Sequence, residues 1–199
     1  MKLFTAPALI VFFCVGCDQI SMASCLEQHA SMTCINKKLL KNSPSLKIEP
    51  DSTIAGRSDL YTVWVSSAEW VHMFPKQERK EDLVLLHQSG RAMFQIETMV
   101  PSSQSLAEIA KKPISDLSEK LNAEPTNIPV PTPVYAEGGG VLFEICYYTK
   151  EKAIECMYSA ALNLGKATIK IFSHTEEDEA VIEQIMTLFV SVEPKRNGD

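Results

Sequence analysis

Hydrophobic and polar positions along this chain change rhythm several times, and each change marks an element. Between 141 and 173 aromatic and β-branched residues recur in three short runs, 141–149 (VLFEICYYT), 153–162 (AIECMYSAAL) and 167–173 (ATIKIFS). Strands favour such residues. Lys150-Glu151-Lys152 is a polar hairpin loop and Asn163-Leu164-Gly165-Lys166 a Gly-containing turn. The runs therefore read as three consecutive antiparallel strands. The expected register sets Cys146 opposite Cys156, Tyr148 opposite Ile154 and Glu144 opposite Tyr158, which brings two cysteines within bridging distance.

Upstream, 60–65 (LYTVWV) reads as a strand, 66–75 as an irregular segment holding Trp70, Met73 and Phe74, and 77–82 as a charged loop. Runs 83–87 and 91–100 flank Gln88-Ser89-Gly90, a second hairpin signal. Phe94, Ile96 and Thr98 alternate with Gln95, Glu97 and Met99, giving one buried and one wetter face. The period lengthens in 102–122, where Leu106, Ile109, Ala110, Leu117 and Leu121 form a helical stripe behind a Ser105/Glu108 capping box. Pro113 predicts a kink or restart inside that helix. Pro125, Pro129, Pro131 and Pro133 predict an extended, rigid connector. Gly138-Gly139-Gly140 enters a strand rather than a helix, so it is a hinge or bulge and not a phosphate loop. The last helix is expected over 175–189, capped by Ser173 with Glu176 or Thr175 with Asp178. Val181, Ile182, Ile185, Leu188 and Phe189 face the sheet, and a short strand follows at 190–192. The fold class is α+β, an antiparallel β-sheet with helices packed against it.

Composition narrows the setting. The chain has 199 residues, 45% of them hydrophobic, enough for one cored domain plus appendages. Its net charge of −6 and the lack of a long basic run exclude nucleic acid as a partner. Met1-Lys2 precedes an apolar stretch, 3–15, that is too short to cross a membrane as a helix. Val15-Gly16-Cys17-Asp18 resembles a bacterial lipobox, with Cys14 at the −3 position where Leu is usual. The resemblance implies lipid on Cys17, periplasmic exposure and, by similarity to enterobacterial sorting after Asp18, retention at the inner membrane. The alternative is ordinary cleavage after Ala23. The expected organisation is a signal peptide over 1–16, a lipid-anchored tether over 17–50, a domain over 51–194 and a tail over 195–199. Lys37, Lys38 and Lys41 are expected to be solvated on the tether, before the breaker cluster Asn42-Ser43-Pro44-Ser45.

Either cleavage leaves Cys25, Cys34, Cys146 and Cys156, an even number in an oxidising compartment. Three pairings are possible; Cys25–Cys34 with Cys146–Cys156 is the local solution. A continuous helix from 25 to 34 would part its ends by about 13–14 Å, whereas a disulfide needs Cα atoms within about 7 Å. Helix and bridge therefore exclude each other unless the helix breaks near Ser31.

Catalytic patterns are lacking. His29, His72, His87 and His174 form no HExxH, and there is no G-x-S-x-G. Glu144 and Glu155 fall on opposite sheet faces, which suits structural glutamates and not a carboxylate pair. C-x₂-C spacing is absent among Cys25, Cys34, Cys146 and Cys156, so no metal and no cofactor is expected. Trp70, Met73 and Phe74 are a possible interface, with a core plug as the competing reading of Trp70.

Taken together, 60–65 with Trp70, the hairpin over 83–100, the helix over 102–122, the Gly-rich entry and meander over 138–173, and the terminal helix and strand over 175–192 resemble the Mog1/PsbP/DcrB-like superfamily. The usual Pro-x-x-Trp is absent, since Ser66, Ser67, Ala68 and Glu69 precede Trp70. The resemblance implies a Mog1/PsbP-like α/β sandwich that is not an enzyme. It further implies a binding or scaffold lipoprotein similar to DcrB-type envelope proteins, with another envelope protein as partner. The alternative is an immunity protein that neutralises a secreted effector delivered to the periplasm.

Overall fold

A computed structural model describes residues 25–74, 81–99, 103–121, 125–134, 138–165 and 167–195. The described residues open with one π-helical turn, Cys25–His29, and helix α1, Met32–Asn42. Strands β1 (Ser45–Lys47), β2 (Ser52–Ala55), β3 (Tyr61–Val65), β4 (Trp70–Met73), β5 (Glu81–His87) and β6 (Ala92–Met99) follow. Then come helix α2 (Leu106–Leu121), β7 (Thr132–Val134), β8 (Gly140–Tyr148), β9 (Ile154–Asn163), β10 (Thr168–Glu176), helix α3 (Glu179–Val190) and β11 (Glu193–Pro194). Eight strands form one antiparallel sheet in the order β1-β4-β5-β6-β10-β9-β8-β7, and β11-β3-β2 form a small second sheet.

The large sheet is covered on both faces. Helices α1 and α2 lie on one, where Met32, Ile35, Leu39, Ile109, Ile114 and Leu117 pack with Met93, Met157 and Phe172. Helix α3 and the small sheet lie on the other, where Ile185, Leu188 and Phe189 join Val63, Phe94 and Ile171. Burial on both faces explains why every residue of β5 is buried, including Glu81 and Asp82. It is also why the expected loop over 77–82 gives way to strand at Glu81.

The meander has the expected register: Cys146 pairs with Cys156, Tyr148 with Ile154 and Glu144 with Tyr158. Cys146 donates its amide to Asn127 Oδ1 and accepts at its carbonyl from the Thr126 amide, so its backbone bonds point away from β9. That is the non-hydrogen-bonded pairing, in which side chains come closest. Both local disulfides are closed, Cys25–Cys34 and Cys146–Cys156. Fragments mapped without reduction are expected to show these two linkages; a Cys146 fragment joined to Cys25 or Cys34 would overturn the register. Loops of 9 and 10 residues place each bridge at the lower end of the usual ~2–4 kcal/mol.

The largest correction concerns 17–50. From Cys25 onward this stretch belongs to the folded body. Ser31 caps α1 through its hydroxyl on the Cys34 amide, and Met32, Ile35 and Leu39 turn inward at helical spacing. Burying three such side chains stabilises by about 1.5–3 kcal/mol each. Lys37 and Lys41 remain exposed. Ala30, at φ 49°, breaks the helical path just before Ser31 and leaves the Cys25 and Cys34 Cα atoms 5.6 Å apart. β1 then adds to the sheet edge against β4.

Other boundaries also move. Trp70–Met73 is a strand rather than irregular chain. α2 has its capping box, with the Ser105 amide bonded to Glu108 and the Glu108 amide to the Ser105 hydroxyl, and it continues through Pro113. β10 extends to Glu176, so α3 starts later than expected and is capped by Asp178, which accepts from the Val181 amide. The helix takes up Val190, and the final strand is Glu193–Pro194, paired to β3.

Candidate functional site

Of the three residues expected at an interface, two are interior. Trp70 is 1% exposed; its ring meets His87 edge-on at 5.4 Å and its Nε1–H donates to Gln184 Oε1 at 2.9 Å. It plugs the core beside α3. Met73 is buried on the opposite face. Only Phe74 is exposed, with its ring 4.9 Å from that of His72. His72 stands opposite Leu46 of the edge strand β1, and Leu46 is 57% exposed. Paired residues share a sheet face, so Leu46, His72 and Phe74 form one apolar patch at an open edge. Burial lowers the pKa of His72, which keeps the patch uncharged at neutral pH.

The most heavily bonded titratable group is Glu155 on β9. Its carboxylate accepts from Ser31 Oγ at 2.6 Å, the Met32 amide at 2.8 Å, Tyr147 Oη at 2.6 Å and His174 Nε2 at 2.9 Å. A charge placed on the first turn of α1 also meets the positive end of the helix dipole. Burial pushes the Glu155 carboxyl up, but the His174 charge and the bonds from His174, Ser31 and Tyr147 outweigh it and hold its pKa at about 2. Burial first, then the Glu155 charge, raises the Tyr147 phenol well above its usual range. Glu155 and His174 are 1% and 0% exposed. This centre clamps the N-terminal segment to the sheet and offers no access for a substrate.

A second buried carboxylate, Asp82, accepts from the Ser58 amide at 2.6 Å, from the Ser58 hydroxyl and from Thr98 Oγ1 at 3.0 Å. Tyr61 lies against it; burial foremost, and then Asp82, raise its phenol pKa. Gly56 is required here, because a Cβ would stand 2.4 Å from the Tyr61 ring and 2.7 Å from Asp82. Among the described residues one trio, Glu144, Cys146 and Cys156, gathers metal-type ligand atoms within 4.8 Å. Its two sulfurs are bonded to each other and are not thiolates. Cys17, expected to carry lipid, lies outside the described residues.

The remaining feature is a cleft under α2. Its floor is Gln95 and Met99 of β6 with Lys170 and Phe172 of β10, and its roof is Ile109, Pro113 and Leu117. The expected wetter face of β6 is thus covered by a helix.

No family model matches the chain, and no curated protein does. Solved structures do. The solution structure of cyanobacterial PsbP from Synechocystis sp. PCC 6803 superposes with a TM-score of 0.52 at 14% identity, covering 72% of this chain and 92% of that one. A mutant of protein Mog1 superposes with a TM-score of 0.50 at 11% identity, covering 72% and 95%. The chain has the Mog1/PsbP-like fold. At these identities the likeness is one of fold alone. Among the described residues the Mog1/PsbP-like scaffold carries two clamped carboxylates in the interior, an apolar edge patch and a cleft.

Proposed function

We propose that the chain is a non-catalytic, lipid-anchored binding or scaffold protein of the bacterial cell envelope, facing the periplasm and held at the inner membrane. The observation that carries this reading is the pair of local disulfides, closed within the fold, behind an apolar leader that ends in Gly16-Cys17. Bridges of this kind persist in oxidising compartments and are rare in reducing ones. The absence of catalysis is supported by Glu155, Asp82, Tyr61, Tyr147 and His174, whose polar groups are turned inward. The edge patch of Leu46, His72 and Phe74 is the surface offered to a protein partner. The immunity reading shares this anchor and differs only in the partner; a neighbouring gene for a secreted lysing enzyme would favour it.

The anchor is tested with Cys17→Ser. Wild-type protein fed an alkyne-tagged fatty acid should be labelled and membrane-bound. The variant should be unlabelled and either released or left unprocessed. One acyl chain binds membranes marginally while several hold firmly, so wild type should resist extraction by salt. A soluble native form starting at Ser24 would overturn the anchor.

A further inference from the structure

The stretch 125–134 borders the large sheet at the end opposite the Leu46 patch, since β7 and β1 are its two outermost strands. Its sequence, PTNIPVPTPV, holds four prolines and no charged residue. Pro129, Pro131 and Pro133 each fix their own φ at about −65°. They also keep the residues before them, Ile128, Val130 and Thr132, out of the helical region. An extended backbone over 128–133 is therefore written into the sequence.

Both ends of this stretch are fixed. Upstream, the Thr126 amide donates to the Cys146 carbonyl and Asn127 Oδ1 accepts from the Cys146 amide, each at 2.7 Å. Cys146 is itself bridged to Cys156. Downstream, Thr132, Pro133 and Val134 pair with Leu142, Val141 and Gly140, and Val134 packs against the core on the α3 face. Between the two fixings Ile128 is 85% and Val130 65% exposed, while Pro129 between them is half-buried. Two aliphatic side chains are thus held out in water on a backbone that is already ordered. Docking them would lose little further conformational entropy.

This edge bars one kind of partner. Backbone groups alternate in direction along paired extended chains. Cys146 turns its amide away from β9, and Leu142, four residues earlier, turns the same way toward its partner Thr132. Thr132 then directs its amide inward, and positions 129, 131 and 133 face outward. All three are prolines with no N–H to donate, so an added strand would find no donors. Edge protection needs only those prolines; it does not need Ile128 and Val130 exposed. Recognition here runs through side chains. Proline rings and aliphatic groups on an extended, uncharged chain are what aromatic-lined grooves take. A second copy of this chain does not supply such a groove among its described residues. Its exposed aromatic side chains, Trp64, Phe74 and Tyr148, stand apart on β3, just beyond β4 and on β8.

We propose that 127–133 is a displayed recognition segment that docks through Ile128, Val130 and Pro131 into an aromatic-lined groove of another protein. It is a second contact surface, on the far edge of the sheet from Leu46, and depends on neither that patch nor the lipid anchor.

The probe is photoreactive benzoylphenylalanine placed at position 128 or 130 of the full-length protein in its host cells, with position 190 on α3 as an equally exposed control. Irradiation at 128 and 130 should give an adduct with a different protein, attached among aromatic residues, that position 190 does not give. That protein, purified, is then titrated against the full-length chain. Ile128→Ser combined with Val130→Ser should weaken binding by about tenfold or more. Its thermal midpoint should match wild type, because neither side chain is packed. Pro131→Ala should also weaken binding, and Val190→Ser should leave it unchanged. The proposal is overturned if 128 and 130 crosslink no more than 190, or if the adduct is a second copy of this chain or a lipid. It is equally overturned if the attachment point carries no aromatic residues, or if the double serine variant binds as wild type does.

Discussion

Glu155→Ala is expected to lower stability by about 3–5 kcal/mol. The change leaves the Met32 amide, the Tyr147 hydroxyl and the His174 ring without their shared acceptor in a site closed to water. It also removes the negative charge from the start of α1, so the helix loses its clamp to the sheet while its Ser31 cap remains. Denaturant unfolding followed by circular dichroism measures the loss. Hydrogen exchange should show it concentrated in Met32–Asn42. A wild-type-like midpoint would mean that the N-terminal segment is held by apolar packing and Cys25–Cys34 alone.

The same carboxylate sets the acid limit of the fold. Its pKa is depressed from an ordinary 4.5 to about 2. A depressed carboxylate stabilises the folded state fully above its unfolded pKa, and that contribution is lost as pH falls through the folded value. The window for Glu155 is therefore about pH 4.5 down to about 2. The difference corresponds to on the order of 3 kcal/mol. Wild type should lose midpoint steadily across that range. Glu155→Gln should start lower at neutral pH and fall less.

Trp70→Ala is expected to cost about 3–5 kcal/mol, the usual price of deleting a large buried aromatic. The indole fills the space between β4, β5 and α3, and its loss strands the Gln184 carbonyl oxygen and the face of His87. Thermal unfolding checks it. Unchanged melting with lost partner binding would restore the interface reading, which the burial of Trp70 otherwise removes.

The elements that could be read from the chain are those whose own pattern suffices. The meander announced itself through β-branched runs and short turns, and with it the Cys146–Cys156 pairing. The cap of α2 followed from Ser105 and Glu108. What escaped was set by partners distant in sequence. α1 has three lysines and precedes a Pro-containing breaker, so its Met32, Ile35 and Leu39 stripe looked incidental until sheet strands distant in sequence covered it. β1 is three exposed residues, a strand only because β4 lies beside it. The role of Glu155 had one legible sign: it falls in the same strand phase as Met157, Ser159 and Ala161, which face α1 and α2. An acid in an inward phase needs a partner, but nothing local says that the partner is a helix start 122 to 124 residues earlier. Gln95 likewise looked solvent-facing because its strand alternates, and it is α2 overhead that covers it.

The early closure of the fold at Cys25 fixes how far the body can stand from a bilayer. With Cys17 lipidated as proposed, only residues 18–24 separate the acyl chains from the first bridged cysteine. Fully stretched, that leash spans about 27 Å, less than the length of the domain's own longer elements placed end to end. The end of the body nearest the lipid is then the one where the π-helical turn meets the β8–β9 hairpin, with the Lys150 amide on the His29 carbonyl and His29 against Glu151 at 2.7 Å. A partner would have to approach a domain moored low over the headgroups, and reach it from the side.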